Sequence, residues 1–371
     1  MAVLAIVIAG VVAIAALALS LAPISVTVNG TQVELGPDRT IAAAVSEAGI
    51  EVSPGDLESV DGSVLEKGQG EPFHAVVNDQ DADPSGSLRN GDVVIVSDGN
   101  DITEDYDVRY EPLPYTTTIE GMGSIHAIEG QGEDGEQEVH VGKVSGETAV
   151  AKVTKEPSDI VCVRSNPDVH GEKVIALTFD DGPLNEYTEP ILDILEENDA
   201  KATFFMVGTN VNDATLPLIE RAHEEGHQVC THSWSHASGS GKGADLGLMS
   251  PDEQVDEISK GQEVLADAIG EDASKVVRFP GGNLDEALVT NVSPYVTYEI
   301  GWSIDSYDWQ KPGADAICSQ IVSAQPGDII LMHDGGGDRS QTVQGLRQAL
   351  PQLRKDGYRF VTVDELLEMA S

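Results

Sequence analysis

The apolar positions of this 371-residue chain fall into three regimes. Ala2 to Ile24 form one apolar block without Asp, Glu, Lys or Arg, and the first charged residue is Glu34. From Ser25 to about position 166 the apolar residues come in short runs. Val26-Thr27-Val28-Asn29-Gly30-Thr31-Gln32-Val33-Glu34-Leu35 alternates around Asn-Gly, which predicts a hairpin. A helical stretch over 40–48 ends at Gly49, and short strands are expected at 75–77 and 93–96. Four further strands are predicted at 115–119, 138–141, 150–153 and 160–163, with a glycine-rich turn over 129–135. Beyond Pro167 the pattern changes. Buried-strand runs such as Val174-Ile175-Ala176-Leu177 and Ile329-Ile330-Leu331-Met332 alternate with helical stretches at 189–198, 215–225, 251–269 and 342–356. That alternation predicts an α/β domain built as a barrel of parallel strands and helices.

Polar clusters end these strands. Val174–Leu177 runs into Thr178-Phe179-Asp180-Asp181-Gly182-Pro183, where Gly-Pro forces a turn. Two adjacent carboxylates at a strand end repel each other unless a cation lies between them. His232-Ser233-Trp234-Ser235-His236 follows, and imidazoles at i, i+4 can converge on one metal. With one of the two carboxylates they make a three-ligand set that leaves a position open, the pattern of a catalytic rather than a structural zinc. Arg278-Phe279-Pro280-Gly281-Gly282 comes after the apolar pair Val276-Val277. Asp305-Ser306-Tyr307-Asp308-Trp309 follows another strand, and His333 closes the run from Ile329.

Five such clusters in this order resemble the polysaccharide deacetylases, the NodB-like carbohydrate esterases of family four, over residues 174–371. The resemblance implies a distorted, seven-stranded (β/α) barrel. It implies one divalent metal held by Asp181, His232 and His236, zinc first, with cobalt or another divalent ion as alternatives. It makes Asp180 the general base, Arg278 its partner, His333 the acid and Asp308 the residue that orients it. Trp309 and Leu331 would line the acetyl-methyl pocket, and the Gly281 N–H would serve the oxyanion. Gly281 stands where the family usually has Tyr, which predicts a wider pocket or a looser loop. The stretch 237–247 reads as a loop insertion beside the metal site.

Charge narrows the partners. Lys and Arg number 21 against 64 Asp and Glu, a formal charge of -43. That excludes a nucleic-acid partner and a polybasic grip on anionic lipid. Its simplest meaning is a well-solvated surface; adaptation to salt, or attraction of a product that gains an amine, are alternatives. Cys162, Cys230 and Cys318 are too few and scattered for a disulfide framework or a cysteine zinc site. Cys230 is expected to be a buried thiol near the site.

The segments ahead of Pro167 complete the plan. Residues 1–24 read as an uncleaved membrane anchor holding an extracytoplasmic enzyme, because about 20 apolar residues span a bilayer. Ala16 and Ala18 leave cleavage, and therefore secretion, open. Residues 25–105 resemble a ubiquitin-like β-grasp module, and residues 106–166 an all-β, five-glycine wall-binding module. Residues 167–371 are the deacetylase domain. The chain before Pro167 is expected to deliver the enzyme to its polymer without entering the chemistry. The expected activity is metal-dependent removal of N-acetyl groups from cell-wall glycan, peptidoglycan N-acetylglucosamine first. The alternatives are an O-acetyl esterase acting on a polysaccharide such as xylan, and a wall-binding protein with an idle enzyme domain.

Overall fold

The computed structural model describes residues 22–239 and 245–370. The expected anchor over 1–24 lies outside these except for its last three residues, as does part of the 237–247 loop. Among the described residues no helix is long and apolar enough to cross a membrane. The described residues form two compact units: 22–112 with 136–156, and 113–135 with 157–239 and 245–370.

In the first unit the Asn-Gly hairpin forms as the alternation predicts. Strands Ile24–Val28 and Thr31–Leu35 pair antiparallel around Asn29 and Gly30, both at positive φ (44° and 83°). Helix Ile41–Glu47 begins at Thr40, whose hydroxyl accepts the Ala43 N–H at 3.1 Å. Strand Val93–Ser97 then runs parallel to Ile24–Val28 and antiparallel to His74–Val77, completing a five-stranded sheet. A separate sheet joins Tyr106–Leu113, Gly135–Gly142 and Thr148–Lys155.

The 106–166 segment is all-β, but its strands divide between two bodies. Thr117–Gly121, Ile125–Glu129 and Ile160–Ser165 belong to the second unit. Ile125–Glu129 pairs antiparallel with Tyr298–Ile300, so one sheet crosses the boundary expected at Pro167. The turn glycines and strand lengths of the segment are local signals. Which neighbour each strand finds is a long-range choice that local signals do not carry.

From that edge the sheet continues through Tyr298–Ile300, Val276–Val277, Gln228–Thr231, Thr203–Met206, Val174–Asp180, Ile329–His333 and Ile304–Asp305, all parallel. The ladder keeps two ends, so the predicted barrel is a curled half-barrel. Every residue of Val174–Asp180 is buried, as a parallel strand covered on both faces requires. One face packs Ile175, Leu177 and Phe179 against Phe204, Ile191 and Leu346, with Phe179 and Phe204 stacked at 5.2 Å.

Helix Pro251–Ile269 holds the loop after Thr231. Its Glu257 accepts from the Ser235 N–H (2.8 Å) and hydroxyl (2.7 Å), and its Glu257 carbonyl accepts the Trp234 N–H (2.7 Å). Gly261 permits this approach. A methyl group there would run into the Thr231 hydroxyl and come within 3.0 Å of the Ser233 backbone. Gly261→Ala is therefore expected to destabilise the protein by about 1–3 kcal/mol, as overpacking does, despite the better helix propensity of alanine. Denaturant unfolding measures this, and an unchanged or raised midpoint would refute the close-approach account.

Candidate active site

The parallel sheet delivers its polar residues to one rim. Asp180 is the backbone partner of His333, and Asp305 that of Leu331, on neighbouring strands. His232 directly follows Thr231, at the end of Gln228–Thr231. The backbone beyond these strand ends is bent sharply. Asp181 (φ 74°), Ser233 (67°), His236 (59°) and Tyr307 (55°) all adopt left-handed conformations without being glycine. Each costs on the order of 1–3 kcal/mol, and such residues gather where function demands them.

Asp181, His232 and His236 converge, with their ligating atoms within 4.8 Å of one another. Asp181 Oδ1 lies 3.0 Å from His236 Nε2 and 3.7 Å from His232 Nε2. It is buried and lacks a hydrogen bond of good geometry. An orphaned anionic oxygen facing two imidazole nitrogens fits a metal ion. The tautomers agree: His232 Nδ1–H donates to the Arg278 carbonyl at 2.7 Å, which leaves Nε2 free to ligate. Burial holds the His232 pKa below the ordinary value, favouring the neutral ligand form. Burial would raise Asp181, but the His236 ring 3.0 Å away and the charges of His232 and His333 outweigh it and hold the carboxylate well below its usual range.

Asp180 faces the same point from the other side. Its Oδ1 accepts from Arg278 Nη1 at 2.8 Å, while Oδ2 lies 3.7 Å from His232 Nε2. Arg278 is fully buried. Its remaining donors reach Thr178 Oγ1 (2.7 Å), the Ile300 carbonyl (2.7 Å) and the Gly301 carbonyl (2.8 Å), and its plane stacks on Phe205 at 4.4 Å.

A second pair completes the rim. His333 Nδ1 bonds Asp308 Oδ1 at 2.7 Å, and Asp308 Oδ2 accepts from the His333 N–H (2.9 Å) and Thr342 Oγ1 (2.8 Å). Burial opposes the charge on His333, but the bond and charge of Asp308 prevail and raise its pKa. Asp308 is held low in turn, since the same bond outweighs its burial.

These groups surround a cavity of about 350 Å³, also lined by Gly281, Trp302, Trp309, Leu331 and Arg339. Trp309 is half-exposed at its mouth and Leu331 buried in its wall. A second, polar hollow of about 730 Å³ adjoins Asp181 and His236 and is lined by Asn210, Asn212, Ser235 and Gly336. Gly281 sits at φ 72°, with nothing closer to an added Cβ than Asn283 Nδ2 at 3.5 Å. The backbone angle, not space, suits glycine here. Cys230 is buried, as expected, with its pKa pushed up to about 12 by burial.

All ten expected site residues thus meet at one rim. The sequence reading missed Thr178, Thr342, Arg339 and Asp334. Thr178 lies two residues before Asp180, hence on the same strand face, which was the available signal. Arg339 lies 3.8 Å from Asp181 Oδ2 at the end of a glycine-rich loop. Asp334, fully buried, has its pKa pushed up to about 7 by burial and accepts from Thr188 Oγ1 at 2.5 Å.

The second unit is similar in sequence to known proteins. Residues 168–297 match the polysaccharide deacetylase family model. A peptidoglycan-N-acetylglucosamine deacetylase of Bacillus cereus is 40% identical over 202 residues, spanning 53% of this chain and 90% of the relative. A chitooligosaccharide deacetylase of Bradyrhizobium is 33% identical over 216 residues, 55% of this chain and 94% of the relative. A solved acetyl xylan esterase of family 4 from Clostridium thermocellum, in complex with a cobalt ion, is 34% identical with a TM-score of 0.48, covering 53% of this chain and 91% of that one. Relatives at this identity make the chain a hydrolase. This chain belongs to the polysaccharide deacetylases, a metal-dependent family of enzymes that deacetylate polysaccharide.

The Asp308–His333 pair makes one direct prediction. In Asp308→Asn, His333 loses the anion that favours imidazolium, so its ring should titrate lower by about one pH unit or more. Histidine NMR titration measures this; an unmoved His333 would overturn the pairing.

Proposed function

We propose that this chain hydrolyses the N-acetyl groups of an amino-sugar polysaccharide, peptidoglycan N-acetylglucosamine first, with one divalent metal. The observation that carries the reading is the joint placement of Asp181, His232 and His236 between two ion pairs, Asp180–Arg278 and Asp308–His333. The relatives named for peptidoglycan and chitooligosaccharide deacetylation support the substrate class.

Asp181, His232 and His236 would hold the metal, zinc first, with cobalt or another divalent ion able to serve. When bound, such an ion polarises an acetyl carbonyl and acidifies water. The chain's own groups then divide the proton work. Asp180 keeps Oδ1 on Arg278, which leaves Oδ2 to take the proton of the attacking water. His333 keeps Nδ1 on Asp308, which leaves Nε2 to protonate the departing nitrogen. The Gly281 N–H serves the oxyanion, and Trp309 with Leu331 encloses the methyl group. The adjoining polar hollow offers room for neighbouring sugars.

The remaining assignments rest on the first unit and the N-terminus. A hairpin, a helix and a last strand inserted parallel beside the first support the β-grasp reading of residues 25–105. We assign this unit, with the five-glycine-like strands over 136–156, to capture of wall glycan. We assign residues 1–24 to a membrane anchor, or to a cleaved signal that releases the enzyme, with the catalytic unit outside the membrane in either case. The support is a charge-free apolar segment of sufficient length.

Acetate release from N-acetylated glycan, with and without chelator, tests the core reading. His232→Ala should lose metal and turnover together, whereas Asp180→Asn should keep the metal and lose turnover by a factor on the order of 10² or more. Full metal occupancy in His232→Ala, or near-normal turnover in Asp180→Asn, would sink it. An amine leaves poorly unless protonated, so His333→Ala should harm amide cleavage more than cleavage of an activated acetyl ester. Equal losses, with faster turnover of acetylated xylan than of N-acetyl glycan, would favour an O-acetyl esterase. Activity should fall as pH rises through the His333 pKa, since that group must be protonated, and Asp308→Asn should bring this limb to lower pH. Cell fractionation tests the anchor: intact, uncleaved protein found wholly in the soluble fraction would exclude it.

A further inference from the structure

Glu299 precedes Ile300, whose carbonyl holds Arg278 Nε, and it is buried. Its Oε1 accepts the backbone N–H of Phe279, the residue after Arg278 and a wall of the catalytic cavity, at 3.2 Å. Its Oε2 bonds His126 Nδ1. The other ring nitrogen of His126 lies 3.0 Å from the Gly123 carbonyl. A carboxylate and a carbonyl both accept, so the form with both ring nitrogens donating, the imidazolium, satisfies both contacts. Burial opposes that charge, but the bond and charge of Glu299 outweigh it, against a smaller opposing influence of Arg164.

His126 belongs to Ile125–Glu129, far from the catalytic motifs in the chain. Yet His126 and Glu299 are direct backbone partners, as are Ile125 and Ile300, and the Gly301 N–H donates to the Ser124 carbonyl at 2.9 Å. The two carbonyls that grip Arg278, from Ile300 and Gly301, therefore lie on a stretch of chain fastened along its outer side to residues 124–127. We propose that His126 is a positioning residue for catalysis. It anchors Glu299, and through Glu299 and this stretch it fixes the Arg278–Phe279 backbone that aims the guanidinium at Asp180. Residues 113–135 and 157–165 then form part of the catalytic body and are no detachable delivery module. This inference rests on the proposed roles of Arg278 and Asp180.

The test uses the full-length protein. His126→Ala should lower kcat by about tenfold to a hundredfold, the scale of a small misplacement, with KM and metal content little changed. Added imidazole should restore part of the rate by refilling the space of the lost ring. In an Arg278→Ala background the same substitution should cost little more, because both act through one group. Where His126→Ala fails to fold, Glu299→Gln, which removes the charge and nearly keeps the shape, should show the same fall in kcat. Wild-type kcat in a folded His126→Ala or Glu299→Gln protein, or a fully additive loss with Arg278→Ala, would overturn the inference. Arg278→Ala measured alone separates the two failures: if it stays active, the proposed catalytic roles fail first.

Discussion

The buried guanidinium of Arg278 is the interaction on which this site depends. An isolated charge in a protein interior costs several kcal/mol, and losing one partner of a buried pair typically costs about 3–5 kcal/mol. Arg278 meets that cost with Thr178, two backbone carbonyls, an aromatic face and one carboxylate, Asp180. The carbonyl of Arg278 also binds His232 Nδ1 and so sets the tautomer of a metal-ligand candidate. A single residue thus engages Asp180 through its side chain and His232 through its backbone. Disturbing its position would disturb both together, which explains why so many elements converge on it.

The sheet supplies the rest of the precision. Neighbouring parallel strands stand about 4.8 Å apart, and their ends advance in fixed register. Asp180 and His333 are direct partners in that register, so no loop sets their spacing. Loops do set the positions of Asp181 and His236, and there the backbone is left-handed without glycine. The turn that carries His236 is held by Glu257 of the long helix, which accepts from Ser235, and by the Ser233 hydroxyl, which accepts the His236 N–H.

Much of this was legible in the sequence, for identifiable reasons. Apolar runs that end in Asp-Asp-Gly-Pro or His-Ser-Trp-Ser-His announce both the strand and what it carries. Helix Pro251–Ile269 has the expected bounds because Ser250, Pro251 and Glu253 form a capping box at one end and Gly270 adopts a left-handed turn at the other. Partners far apart in the chain were not legible. Glu299 and His126 are separated by 173 positions, Arg278 and Thr178 by 100, and nothing local marks either pair. For the same reason the strands of residues 106–166 looked like one module. Their alternation reports that each has a buried face, and says nothing of which sheet buries it.

The two ion pairs of the rim give opposite characters to groups side by side. Asp180 has a permanent cation at one oxygen and keeps the other oxygen open toward His232. His333 has an anion at one nitrogen and keeps the other for the cavity. The first pairing suits a group that must accept a proton, the second a group that must give one. An acceptor and a donor set apart in this way, on adjoining strands, would let one rim hold the proposed base and acid at the same pH. Each pairing also consumes the inner atom of its residue, so only Oδ2 of Asp180 and Nε2 of His333 are left to meet substrate. On the proposed roles, the direction of proton movement would follow from which atoms the buried partners occupy. Under the proposed mechanism Arg278 and Asp308 would act by fixing which atom of Asp180 and of His333 stays free.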